Sequence, residues 1–289
     1  MSQWVLGVIG GSGVYEIEGL AGASWARVES PFGDASDELL SGSLGGAKLV
    51  FLPRHGRGHR LPPTQVNARA NIDALKRAGC TDILSLSAVG SLRESLAPGD
   101  FVIVDQFIDR TFAREKSFFG AGLAAHVSMA MPVCPRLSAM AAEAGRTAGA
   151  RVVEGGCYLA MEGPQFSTQA ESALYRSWGC DVIGMTNMPE AKLAREAELP
   201  YASVAMVTDY DCWHEEFGHV HVAQIMELLA QNAGAARSLV ANLARALPNE
   251  RAASPIDTCL DSALITPPSA RDPAMVARLS AVAGRALRA

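Results

Sequence analysis

Short runs of apolar and β-branched residues recur at Val5–Ile9, Leu49–Leu52, Ile83–Leu86, Phe101–Val104, Val182–Met185 and Ala202–Val207. Most are continuous rather than alternating, which predicts strands buried on both faces of a sheet covered by helices. Between them, Gln65–Ala78 places Val66, Ala70, Ala74 and Leu75 near helical spacing and stops at Gly79, a residue suited to the left-handed position past a helix end. Arg136–Ala148, Thr168–Trp178, Glu190–Glu198 and His221–Ala246 read as further helices. The alternation predicts an α/β fold, a single domain with a central mixed β-sheet flanked by helices. That domain is expected over residues 1–247. A Pro-punctuated extension, 248–289, ends in a helix over Asp272–Leu287, with Asp272 as N-cap and Pro273 in the first position. Val276, Leu279, Ala283 and Leu287 give this helix one apolar face, to be packed on the same domain or on a neighbouring subunit.

Composition narrows the function classes. With 49% hydrophobic residues the chain has ample material for a core, so disorder is excluded as its dominant state. A net charge of −5 with no Lys/Arg cluster argues against nucleic acid as a partner. No run of about 18 uncharged apolar residues is present, so no membrane span is expected. The opening stretch lacks the basic n-region of a secretion signal, which makes the cytoplasm the expected location. The six cysteines are dispersed without a CxxC pair, and the six histidines form no HExxH. Reduced thiols and no metal site are therefore expected.

The candidate chemistry lies at strand ends, where ligands of open α/β sheets gather. Gly10-Gly11-Ser12-Gly13 follows the first strand and offers backbone N–H groups and a hydroxyl to a small anion, though alone it is equally a tight turn. Its spacing fits neither a dinucleotide fingerprint nor a Walker A loop. Arg54-His55-Gly56-Arg57-Gly58-His59 follows the second strand and supplies a guanidinium fork suited to phosphate. Ser87-Ala88 and Thr186 add hydroxyl and backbone donors at two further ends. Together the four segments make a shared phosphate site plausible. Asp209 and Asp211 close the last strand and point to one side if the chain stays extended there. The pair could serve acid/base work, the edge of a base, or merely a turn.

Seven ordered blocks carry a resemblance: IGGSG (9–13), PRHGRGH (53–59), SAVGSL (87–92), DQFIDRT (105–111), EGPQFST (162–168), IGMTNMPE (183–190) and TDYDCW (208–213). In these blocks the chain resembles the methylthioadenosine phosphorylases of the trimeric purine nucleoside phosphorylase superfamily, from residue 5 to about 245. The resemblance implies a nucleoside phosphorylase-like fold and the reversible phosphorolysis of S-methyl-5′-thioadenosine to adenine and 5-methylthioribose 1-phosphate, with inorganic phosphate as co-substrate and no cofactor. It places Ser12, Arg54, His55, Ser87, Ala88 and Thr186 on phosphate, Phe166 and Ser167 beside the base, and Met185 under the ribose. Asp209 and Asp211 fall on the purine edge as the catalytic pair, Asp209 donating toward N7. A homotrimer is implied, in which a neighbour's His126 reaches the 5′ end of the sugar. Val222, Ile225 and Met226 share one helical face by their spacing, and the resemblance implies that this face lines the alkylthio pocket.

Three alternatives differ in testable ways. A phosphorylase of 6-oxopurine nucleosides or methylthioinosine typically carries Asn where this chain has Asp209. A hydrolytic nucleosidase would not need the phosphate donors. A non-catalytic binding protein would show no phosphate-dependent turnover.

Overall fold

The computed structural model describes residues 3–11, 13–214 and 222–288, with the backbone alone over 222–227 and 229–231. The strands are β1 (Val5–Gly10), β2 (Ala21–Ala26), β3 (Leu39–Leu44), β4 (Ala47–Pro53), β5 (Asp82–Ser91), β6 (Phe101–Val104), β7 (Gln106–Asp109), β8 (Val152–Glu154), β9 (Cys157–Ala160), β10 (Val182–Gly184) and β11 (Tyr201–Asp209). The helices are α1 (Ala68–Arg77), α2 (Pro135–Thr147), α3 (Gln169–Ser177), α4 (Asn187–Glu196), α5 (Val222–Ala246), α6 (Pro273–Arg278) and α7 (Gly284–Arg288). All the strands join one mixed sheet, as the apolar runs predict.

Side-chain alternation divides that sheet between two cores. Leu6, Val8, Leu49, Phe51, Leu84, Leu86 and Val204 meet Leu137 and Ala141 of α2 and Leu239 and Leu243 of α5. The intervening Ile9, Val50, Leu52, Ile83 and Val207 meet Ala70 and Leu75 of α1 and Ala191 and Ala194 of α4. Leu279, Val282 and Ala283 of the C-terminal segment belong to this second core. The expected terminal helix is broken into α6 and α7. Asp272 caps it as expected, its carboxylate accepting from Ala274 N.

β5 creates the opening that matters for function. Its first half, Leu6↔Asp82 to Ile9↔Ser85, runs parallel to β1, while its far end, Gly90 and Ser91, pairs antiparallel with β10. β11 follows β5 on the other side along most of its length, with a bulge between Val207 and Asp209. Where β1 ends and β10 has not yet begun, the sheet splits, and a crevice forms at the carboxyl ends of the strands. Among the described residues no helix is long and apolar enough to cross a membrane.

Candidate active site

The crevice is a cavity of about 220 Å³. It is lined by His55, Ala88 and Thr186, by Asp209 and Asp211, and by Met185 and Phe166. Residues far apart in sequence therefore converge because five strand ends converge.

The two aspartates are brought together differently from the expected extended strand. β11 stops at Asp209, and Asp211 sits in the left-handed region at φ 51°. This turn directs the Asp211 N–H onto Asp209 Oδ1 at 2.8 Å, while the Thr208 hydroxyl donates to Asp209 Oδ2 at 2.7 Å. Burial pushes the Asp209 carboxyl above its usual range, against the opposing pull of those two donors. Burial also raises Asp211, with the charge of Asp209 adding to the shift. Asp211 Oδ2 is buried without a hydrogen-bond partner among the described residues. Such an orphan acceptor is costly unless a ligand donor meets it.

Beside Thr186, Ser87 Oγ lies 3.0 Å from Thr186 Oγ1 and 3.2 Å from the Tyr158 hydroxyl. Thr186 N in turn donates to Tyr158 Oη at 3.4 Å. Two of the expected phosphate donors are thus in mutual contact, and Ala88 lies beside them on β5. His55 Nδ1 is 2.9 Å from the Leu61 carbonyl, so that nitrogen carries the proton. Burial, reinforced by the adjacent Arg54 charge, lowers its pKa to about 4. His55 is therefore a neutral imidazole at physiological pH. Its ring stacks on His59 at 4.3 Å between centroids.

Arg54 is 2% exposed and lines not the main cavity but a small one beside it that shares Pro63 and Thr186 with it. Its Nε and Nη2 form a bidentate pair with Glu190 at 2.9 and 3.0 Å, and Nη2 also donates to Ser85 Oγ at 2.6 Å. Nη1 donates to the Leu86 carbonyl at 2.9 Å. Among the described residues the second N–H of Nη1 has no acceptor. Glu190 is a residue that the reading of strand ends passes over. Its signal is a carboxylate that is 2% exposed in the first turn of a helix whose Ala191, Leu193 and Ala194 are also buried. Tyr201 completes the network by donating to Glu190 Oε1 at 2.8 Å.

The other expected positions are distributed around this centre. Phe166 is 44% exposed at the cavity rim. Ser167 stands next to it, with its carbonyl accepting from the Cys212 thiol at 3.3 Å. His126 is exposed, is held through its backbone N–H to the Ala263 carbonyl, and does not line this chain's own cavity. Ser12 lies outside the described residues. Val222, Ile225 and Met226 lie in the first turns of α5, where the side chains are outside the description. That helix is anchored beside the site by Asn232 Nδ2 donating to the Val207 carbonyl and by Arg237 donating to the Gly13 carbonyl.

Known proteins match along nearly the whole chain. Residues 5–245 match the model of the phosphorylase superfamily. The chain belongs to that superfamily. Within the phosphorylase superfamily it is 64% identical to the S-methyl-5′-thioadenosine phosphorylase of Cereibacter sphaeroides, over 98% of this chain and 99% of the relative. It is 63% identical to the enzyme of the same name from Rhodospirillum rubrum, over 99% and 98%. Among solved structures, a methylthioadenosine phosphorylase from an Antarctic soil metagenomic library superposes with a TM-score of 0.92 at 44% identity, covering 98% of this chain and 99% of the other. The Schistosoma mansoni methylthioadenosine phosphorylase in complex with adenine gives 0.79 at 39% identity, covering 83% and 90%.

Proposed function

We propose that this phosphorylase is a pentosyltransferase that converts S-methyl-5′-thioadenosine and phosphate to adenine and 5-methylthioribose 1-phosphate, reversibly. The observation that carries the reading is that one cavity is lined both by the carboxylates Asp209 and Asp211 and by the anion donors His55, Ala88 and Thr186. A purine placed against Asp209 and Asp211 leaves its ribose over Met185 and its anomeric carbon toward Ala88 and Thr186.

As the bond between purine N9 and C1′ breaks, positive charge grows on the ribose and negative charge on the purine. Phosphate stabilises the first and then forms the new C1′–O bond. Asp209, whose carboxyl burial shifts toward the protonated form, donates to N7 of the departing base. Asp211 Oδ2 accepts from the exocyclic amino group, which gives that orphan acceptor a partner. Ser87, Ala88, Thr186, His55 and the remaining N–H of Arg54 hold phosphate, together with Ser12. No covalent intermediate, cofactor or metal enters this scheme.

The reading includes a cytoplasmic homotrimer. Phe112 and Ile265, 82% and 60% exposed, are large apolar side chains that such an assembly would cover. His126, exposed and off its own chain's cavity, would then serve a neighbour's sugar, and Val222, Ile225 and Met226 would close the alkylthio pocket. The decisive experiment measures adenine release from methylthioadenosine with and without phosphate. Release only with phosphate is expected, and equal release without it would make the enzyme a hydrolase.

A further inference from the structure

Arg114 lies in the irregular stretch between β7 and α2, yet its side chain is 5% exposed. Its Nε donates to Glu162 Oε1 at 3.0 Å, and Nη2 donates to the Glu162 backbone carbonyl at 2.6 Å. Nη1 donates to two further carbonyls, those of Met185 at 2.5 Å and Met188 at 2.9 Å. Glu162 is bound just as fully. It accepts from Thr64 Oγ1 at 2.8 Å, from Phe112 N at 2.6 Å and from Ala113 N at 3.1 Å. Burial works against its charge, but these donors and Arg114 outweigh it and hold the carboxyl at about 2.

One ion pair therefore ties together four separate stretches of chain. Three of them carry cavity residues: Pro63 beside Thr64, Met161 beside Glu162, and Met185 with Thr186. Charge pairing alone would need only the two side chains. The two carbonyls pinned by Nη1 instead bracket Thr186 and Asn187, whose side chains reach Ser87 and Ser203 but leave the start of α4 without a side-chain cap. Met188 departs from helical geometry at φ −118°, ψ 134°, and the Thr186 side chain caps no helix N–H. A planar guanidinium with fixed donor directions supplies from outside what the helix start does not.

We propose that Arg114, held by Glu162, is a positioning residue of the phosphorolysis: it fixes the Met185–Met188 corner so that Thr186 meets phosphate. The inference rests on the reading of Thr186 as a phosphate ligand.

The test varies phosphate and methylthioadenosine separately in Arg114→Lys, Arg114→Ala, Glu162→Gln and Thr186→Val. Lysine keeps the charge but cannot span Glu162 and both carbonyls, so Arg114→Lys should raise the phosphate KM by roughly ten- to a hundredfold, the scale of a small misplacement. The nucleoside KM should change by no more than about threefold, since the purine end is held elsewhere. Glu162→Gln should show the same split. Added guanidinium should restore phosphate saturation in Arg114→Ala and do nothing for Thr186→Val. If Arg114→Ala does not fold, Arg114→Lys and Glu162→Gln carry the test. Equal changes in both KM values, or lowered thermal stability with unaltered kinetics, would reduce Arg114 to a structural ion pair. If Thr186→Val leaves phosphate saturation unchanged, the phosphate reading of that corner fails. If Thr186→Val raises it while the Arg114 variants do not, only the positioning role fails.

Discussion

The Asp211 N–H donates to Asp209 Oδ1 at 2.8 Å, so the residue two places further along the chain sets the orientation of the buried acid. The left-handed turn at Asp211 makes this possible. Thr208 holds the other oxygen, and its hydroxyl has a second acceptor in reach, the Val89 carbonyl at 3.2 Å.

That geometry makes Asp209→Asn a clean substitution. The amide oxygen can keep the Asp211 N–H, and the Thr208 hydroxyl can turn to Val89 to make room for the amide NH2. Stability should stay near that of the parent. Turnover of the adenine nucleoside should fall by about 10²–10⁴-fold, the usual size of a lost general-acid contribution, while an inosine analogue is relatively favoured. Parent activity should also decline as pH rises through the raised pKa of Asp209, because the protonated form is the active one. The asparagine variant should lack that limb. Equal losses on both bases would remove Asp209 from the purine edge.

Arg54 and Glu190 predict a different balance. A surface phosphate ligand would be dispensable for folding, but this guanidinium is buried and paired at 2.9 Å. Removing either partner strands a buried charge, at a cost of about 3–5 kcal/mol. Arg54→Ala and Glu190→Gln should each lower the urea midpoint accordingly, and the folded fraction of Arg54→Ala should need more phosphate to saturate. An unchanged midpoint in both variants would contradict the burial of the pair.

Much of this architecture is legible in the sequence, and the gaps have physical causes. The doubly buried strands announce themselves as unbroken apolar runs, and Thr168 and Asp272 announce helix starts through their caps. β2 is missed because Ala21–Ala26 is an almost wholly exposed edge strand of mostly small residues without a β-branched run. β8 and β9 are too short to establish a period. At the site, hydroxyls and glycines at strand ends point to the anion wall. The supports behind it, Glu190, Tyr158 and Arg114, are distant in sequence and acquire meaning only from the partners that folding brings to them.

His55 should leave a mark on stability against pH. The folded chain holds it at about 4, below its ordinary 6.5. Between those values the unfolded chain binds a proton that the folded chain refuses. The contribution is therefore complete above about pH 6.5 and is lost as pH falls toward 4. Its ceiling is on the order of 3 kcal/mol. Urea unfolding of the parent and of His55→Gln at pH 7.5 and pH 5 isolates it, since other groups titrate alike in both. The parent should lose more stability than the variant over that interval, and parallel losses would mean that His55 is not held neutral.

Gly184 is where the anion wall has least tolerance. A Cβ there would overlap Tyr158 Oη and meet Tyr158 Cζ at 2.6 Å and Val89 Cγ1 at 3.2 Å. Tyr158 is fully buried and packs against Phe107, so its ring has nowhere to retreat. Gly184→Ala should accordingly cost about 1–3 kcal/mol through overpacking. The same displacement would drag the Tyr158 hydroxyl away from Ser87 Oγ and Thr186 N, disturbing two of the proposed phosphate donors at once. Phosphate saturation should weaken more than nucleoside saturation. Adding Tyr158→Phe removes the closest contact but not the one at Cζ, so the double variant should recover part of the lost stability and little of the phosphate affinity. Full recovery of both would place the clash, and not the hydroxyl's contacts, at the root of the defect. A Gly184→Ala enzyme with parental stability and kinetics would show that β10 shifts freely against β5 and that Tyr158 does not set the phosphate wall.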